Sequence, residues 1–228
     1  MQLVQTPSPN HGPRTGGRPL DMLVLHYTGM ATAEAAIARL CDPAAEVSAH
    51  YTVDVDGTVH AHVPEHRRAW HAGRSWWRGA GDVNSRSIGI EVVNPGHDCG
   101  LAPFPEAQVA ALAALARQVI ERHGIPAANV VGHADVAPDR KADPGELFPW
   151  AQLARAGVGL WPAPDTPGAV AGPAEALAGI GYGVAVYGEA ACLRAFQRRF
   201  RPARIDGIAD AETRALLGRV LRLAGPTP

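Results

Sequence analysis

Five residues of this chain combine side-chain type and position in a way that would support hydrolysis. His26 closes the apolar run Met22-Leu23-Val24-Leu25, and His133 follows Val130-Val131, so each stands at the end of an expected buried strand. Asp143 lies ten residues after His133, and Pro144 biases it toward an extended backbone. Two imidazoles and a carboxylate, with a fourth position left for water, form the ligand set of a hydrolytic zinc centre. The three are far apart in sequence, unlike a local HExxH motif, so only a fold would assemble them. Taken singly, either histidine reads better as a core residue with its hydrogen bonds satisfied. Lys141 is the one lysine among 21 Lys and Arg residues, and it stands two before Asp143. Side chains two apart in an extended segment share a face, so Lys141 and Asp143 would address one site. A compact ammonium there would stabilise a developing oxyanion; a lysine retained by chance is the alternative. Glu91 is the carboxylate of Ser87-Ile88-Gly89-Ile90-Glu91-Val92-Val93, an otherwise apolar strand. Buried, it is costly unless paired or used, for instance as a general base. Facing outward, it is ordinary period-two alternation.

The elements that would position these groups are legible in part. Tyr51-Thr52-Val53-Asp54-Val55, Asp56-Gly57 and Thr58-Val59-His60 spell a β-hairpin around an Asp-Gly turn. Residues 87–93 read as a strand and Ala33 to Leu40 as a helix. In the stretch 105–123, Val109, Leu112, Leu115, Val119 and Ile120 share a helical face, Pro105 opens the first turn and Gly124 follows the end. Residues 1–19, rich in Pro, Gly and polar groups, read as an arm that orders on contact. Residues 157–173 are a Pro/Gly-rich linker by composition. Beyond it, Ala174 to Ile180, Glu189 to Phe200 and Ala211 to Leu223 read as three short helices. The expected organisation is a catalytic domain over 1–156, a linker over 157–173 and a small three-helix domain over 174–228. The last is near the lower size limit for independent stability.

Bulk properties narrow the class. Hydrophobic content of 46% with 19% charged residues is that of a globular protein with one good core and a small appendage. A formal net charge of −1 gives no field that would draw the chain to nucleic acid or to an acidic membrane. No segment approaches the ~18 apolar residues of a membrane span. Cys41, Cys99 and Cys192 are too few and too widely spaced for a disulfide framework or a CxxC zinc site. The first ten residues have no basic start and no apolar run, so a cytoplasmic location is expected. A periplasmic protein or outer-membrane lipoprotein, its leader removed, is the alternative.

Five segments together resemble one family: Val24-Leu25-His26-Tyr27-Thr28, Val47-Ser48-Ala49-His50-Tyr51, Arg68-Ala69-Trp70-His71-Ala72-Gly73, Asn84 to Glu91, and Gly132 to Trp150. Their order and spacing over residues 22–150 are similar to the zinc-dependent N-acetylmuramoyl-L-alanine amidases of the type-2 amidase family, which share a fold with peptidoglycan recognition proteins. The resemblance implies an α/β fold with a central mixed β-sheet flanked by helices. It implies zinc (Zn2+) held by His26, His133 and Asp143, Glu91 as the base that activates water, and Lys141 as the oxyanion stabiliser. The scissile bond would join the lactyl group of N-acetylmuramic acid, or its anhydro form, to L-alanine of the stem peptide, in cell-wall turnover or muropeptide recycling. Peptidoglycan or muropeptides would be the partner of a monomeric enzyme. Trp70, His71 and Trp76 are expected along the substrate groove, with Arg86 either toward substrate carboxylates or on solvated surface, and His50 either lining the site or supporting it from behind the ligands. Arg74 is read either as a further carboxylate contact or as solvated surface. His60, His62, His66, His97 and His123 are read as surface or structural histidines.

The C-terminal stretch resembles a small peptidoglycan-binding module through Leu193 to Phe200, Ile205 to Asp210, and Thr213 with Leu216 and Leu217. Phe196, Phe200 and Leu217 read as its core, Asp206-Gly207 as a turn and Asp210 as a helix cap. The Arg-rich segment 198–204 reads as well as solvated surface. A recognition protein that binds peptidoglycan without cleaving it is the competing reading of the whole chain; the presence of all three ligand candidates with Glu91 and Lys141 argues for the enzyme.

Overall fold

The computed structural model describes residues 2–163, 170 and 172–225. Among these, eight strands form in chain order: β1 Leu3–Gln5, β2 His11–Pro13, β3 Met22–Tyr27, β4 Tyr51–Val53, β5 Val59–Ala61, β6 Arg67–Ala69, β7 Ser87–Val92 and β8 Val130–Gly132. Six of them make one mixed sheet in the order β1-β5-β4-β7-β3-β8, and β2 pairs with β6 beside it. Strands β4, β7, β3 and β8 run parallel; β4 and β5 are the antiparallel hairpin. The hairpin strands are shorter than their sequence pattern, because Asp54 to Thr58 close a longer turn through Asp54 N–H to the Thr58 carbonyl at 2.8 Å.

Parallel strands covered on both faces read as unbroken apolar runs, which is why β3 was visible in the sequence. Alternation along β3 sends Leu23 and Leu25 to the face packed by the helix Glu106–His123, through Val109, Leu112, Leu115 and Val119. Met22 and Val24 point to the other face. His26 continues that second row. On β7, Ile88, Ile90 and Val92 join the first face, so Ser87, Gly89 and Glu91 share the second. His26 and Glu91 are direct partners in the parallel register of β3 and β7, and Leu25 pairs with Gly132 just before His133. The carboxyl ends of three adjacent parallel strands thus carry His26, Glu91 and His133 to one edge, where α/β sheets place their ligands.

The amino-terminal arm is ordered by contact, β1 against β5 and β2 against β6. The helices Ala33–Cys41 and Glu106–His123 match their sequence signals, with Thr32 capping the first through its side chain. The linker reading needs revision at its start. Val158 is fully buried in the core under the sheet, and Trp161 packs on Phe200 with ring centroids 5.7 Å apart. Residues 164–169 and 171 of that stretch lie outside the described residues. After it come helices at Pro173–Ile180, Val184–Tyr187, Glu189–Phe200 and Ala211–Ala224, one short helix more than expected. Their apolar faces join Met22, Val24, Val83, Val131 and Val136 in a single core, so these helices cover the second face of the sheet.

Candidate metal centre

His26 Nδ1, His133 Nδ1 and Asp143 Oδ2 converge: the two nitrogens are 3.0 Å apart, and the carboxylate oxygen is 3.0 Å from the first and 3.1 Å from the second. All three residues are buried, and among the described residues they are the one His/Cys/Asp/Glu cluster whose ligand atoms would hold a metal ion. β3 delivers His26, and His133 opens the short helix His133–Val136 directly after β8. Asp143 is tied to that same helix, because its carbonyl accepts from Ala134 N–H at 2.8 Å.

The surrounding hydrogen bonds assign the tautomers. His133 Nε2 faces the Ala72 carbonyl at 3.2 Å, which can only accept, so the proton sits on Nε2 and Nδ1 is bare. For His26 the assignment runs through a chain. Ser87 Oγ donates to the Val83 carbonyl at 2.6 Å and therefore accepts from His71 Nε2–H at 3.2 Å. His71 Nδ1 then accepts from His26 Nε2–H at 3.0 Å, which leaves His26 Nδ1 bare as well. Two bare nitrogens and a carboxylate oxygen face one another with no proton between them, an arrangement that a cation resolves. The hydrogen-bonded outer nitrogens are those of metal-ligating histidines generally. The residues present therefore fit a divalent metal.

Electrostatics follow from the same geometry. Burial, and then the neighbouring His133, hold the His26 imidazole down to about 4. Glu91 moves the other way: burial and the Asp143 charge raise it well above an ordinary glutamate, with Lys141 opposing. Its Oε2 is shut off from solvent with no protein partner among the described residues. The outward-facing alternative for Glu91 is therefore excluded. Lys141 and Asp143 line one cleft, as their spacing predicts.

That cleft has a volume of about 520 Å³, and besides His26, Glu91, His133, Lys141 and Asp143 its wall includes Trp70 and His71. His71 has both ring nitrogens engaged, so it orients His26 and has none left for substrate. Its ring packs against Gly89, where a Cβ would come within 2.4 Å of it. Three expected groove residues lie elsewhere. His50 is fully buried, with Nδ1 accepting from Gly89 N–H at 2.9 Å, and burial with the Arg14 charge holds it down to about 3. Arg86 is buried in a two-pronged ion pair with Asp21 at 2.8 and 2.5 Å and also donates to the Trp77 carbonyl. Trp76 lines a separate surface depression with Thr15, Arg18 and Asp82. Arg74 is exposed and paired with Asp139 at 2.5 Å.

Sequence reading missed part of the cleft wall. Tyr27 and His97 both line the cleft, and the Tyr27 hydroxyl meets His97 Nδ1 at 2.9 Å while Glu146 Oε2 meets His97 Nε2 at 2.9 Å. The Tyr27 ring rests on Gly96, whose φ of 69° and lack of a side chain permit the contact. The signal was available: His97 follows β7 in the loop that begins at the same sheet edge as Glu91. Arg39, exposed on the helix Ala33–Cys41, adds a cation to the rim.

Comparison with known proteins gives a consistent result. Residues 16–146 match a family described as N-acetylmuramoyl-L-alanine amidase. The N-acetylmuramoyl-L-alanine amidase AmiD of Escherichia coli is 42% identical over 234 residues, spanning 90% of this chain and 84% of its own length. The 1,6-anhydro-N-acetylmuramyl-L-alanine amidase AmpD of the same organism is 36% identical, spanning 65% of this chain and 88% of its own. Among solved structures, a complex of E. coli AmiD with the substrate anhydro-N-acetylmuramic acid-L-Ala-D-gamma-Glu-L-Lys covers 93% of both chains at 38% identity, with a TM-score of 0.80. AMPDH3 from Pseudomonas aeruginosa is also similar, with a TM-score of 0.80 at 33% identity, covering 91% of this chain and 93% of its own.

Proposed function

Because this chain belongs to the N-acetylmuramoyl-L-alanine amidase family, we propose that it hydrolyses the amide between N-acetylmuramic acid, in its ordinary or anhydro form, and the L-alanine of a peptidoglycan stem peptide, with zinc held by His26, His133 and Asp143. The observation that carries this reading is the convergence of two unprotonated imidazole nitrogens and one carboxylate oxygen within 3.1 Å of one another beside Glu91, whose Oε2 is buried without a protein partner. Zinc bound there would polarise the scissile carbonyl and acidify water.

The chain's own groups supply the rest. Glu91, in register with His26, takes the proton from the attacking water and returns it to the leaving nitrogen of L-alanine. Its raised proton affinity suits a carboxylate that must accept and release a proton in one cycle. Lys141 places a compact positive charge in the same cleft, where it stabilises the tetrahedral oxyanion. His71 and the Ala72 carbonyl hold the imidazoles in their working tautomers. Trp70 offers an apolar face to the sugar, and Arg39 offers a cation to the carboxylates of the stem. The partnerless Glu91 oxygen favours catalysis over recognition alone, since a binder gains nothing from burying it.

The test is product analysis by mass spectrometry on anhydro-muropeptide and on intact sacculi, with and without zinc chelation. The expected products are the muramic-acid sugar and a peptide beginning with L-alanine, lost on chelation and regained with zinc. A peptide product that persists at full rate without metal contradicts the proposal.

A further inference from the structure

The helix Glu189–Phe200 carries Arg198 and Arg199 in its last turn, which the sequence allows as solvated surface. Arg199 is only 7% exposed. Its guanidinium donates to Asp135 Oδ2 at 3.1 Å and to the Val130 carbonyl at 3.1 Å, and lies over the Trp150 ring at 3.9 Å. Asp135, 2% exposed, sits two residues after His133 on the same short helix. It also accepts from the Tyr182 hydroxyl at 2.6 Å and from Gly132 N–H at 2.8 Å. The C-terminal helices therefore grip the turn that carries His133 from behind, at the strand before it and at the helix after it. Asp143 hangs on that turn through Ala134.

We infer that Arg199 and Tyr182 are positioning residues of the metal centre, acting on His133 and Asp143 through Asp135, so that tight metal binding depends on the C-terminal helices. The inference rests on the metal reading proposed above. The physical reason is that Asp135 is a buried carboxylate. Without Arg199 its charge is uncompensated, and it must either draw water in or swing toward water and thereby lose the Gly132 N–H. Either response tilts the turn, and a metal site tolerates displacements of only about 0.5 Å in its ligands.

The test measures zinc affinity of the full chain by competition with a chromophoric chelator, beside thermal stability and turnover. Arg199→Met is expected to weaken zinc binding about tenfold, the lower end of the range for outer partners of metal ligands. Tyr182→Phe, which removes one hydrogen bond and no charge, is expected to weaken it about threefold, the size of one net hydrogen bond, and keeps the test open where Arg199→Met does not fold. Saturating zinc should restore kcat in both. The control Arg204→Met removes an exposed ion pair with Asp206 and should leave zinc affinity unchanged. A lowered melting temperature with wild-type zinc affinity in both variants would overturn the inference while leaving the metal reading intact. Failure of the wild-type chain to bind zinc would overturn both.

Discussion

Asp135 and Asp143 lie eight residues apart on one connection, both buried, and their surroundings are opposite. Asp135 meets donors on every side: the Gly132 N–H, the Tyr182 hydroxyl and the Arg199 guanidinium. Asp143 Oδ2 meets two imidazole nitrogens that the surrounding hydrogen bonds leave without protons. The first carboxylate is complete within the protein; the second is complete only with a cation. Burial alone does not separate scaffold from site here. The sign of the partners does, because a buried acceptor facing acceptors is unstable until something positive arrives.

The largest expected effect breaks the contrast at its functional end. Asp143→Ala removes a ligand and should abolish stoichiometric zinc in metal analysis, along with amide cleavage. Glu91→Gln keeps the three ligands and should retain zinc while lowering kcat by about 10²–10⁴, the usual contribution of a general base. Unchanged turnover would remove Glu91 from the mechanism. Lys141→Arg should also retain zinc and lower kcat by about 10², because a planar fork does not occupy the position of an ammonium. On the scaffold side, Arg199→Met should lower folding stability by about 3–5 kcal/mol, read from denaturant unfolding, as expected when a buried charge loses its partner. The smallest effect sharpens the map of the cleft. Trp70→Ala should raise KM for anhydro-muropeptide several-fold, whereas Trp76→Ala, on a separate depression, should leave it within about twofold, since a surface change away from a site has little effect.

The residues legible in the sequence were those whose position follows from strand geometry. His26, Glu91 and His133 occupy the carboxyl ends of three parallel strands that apolar runs announce, and period-two alternation puts the first two on one face. Asp143 and Lys141 were legible through their spacing from His133 and from each other. His50, Arg86 and Trp76 were misplaced because family-like segments do not say which way a side chain points. His50 turns inward onto the Gly89 amide, Arg86 is consumed by Asp21, and Trp76 turns away toward Gly183. Tyr27 was given no role and His97 was read as surface or structural because their place in the cleft depends on a tertiary contact between a strand end and a segment some seventy residues on. The C-terminal helices were visible as amphipathic patterns, but nothing in their periodicity reveals that the sheet completes their core. Arg199 shows the same limit: an arginine among arginines, distinguished only by the buried aspartate it meets.

The central claim is a metal-dependent amidase centred on His26, His133 and Asp143. Its most direct test is mass spectrometry of the products from anhydro-muropeptide after complete metal removal and again after adding one equivalent of zinc. The account predicts no cleavage in the stripped protein, and full restoration of anhydro-N-acetylmuramic acid and an L-alanine-terminated peptide with zinc. Cleavage by the stripped protein at the rate of the zinc-loaded one, or products cut at another bond, would contradict it.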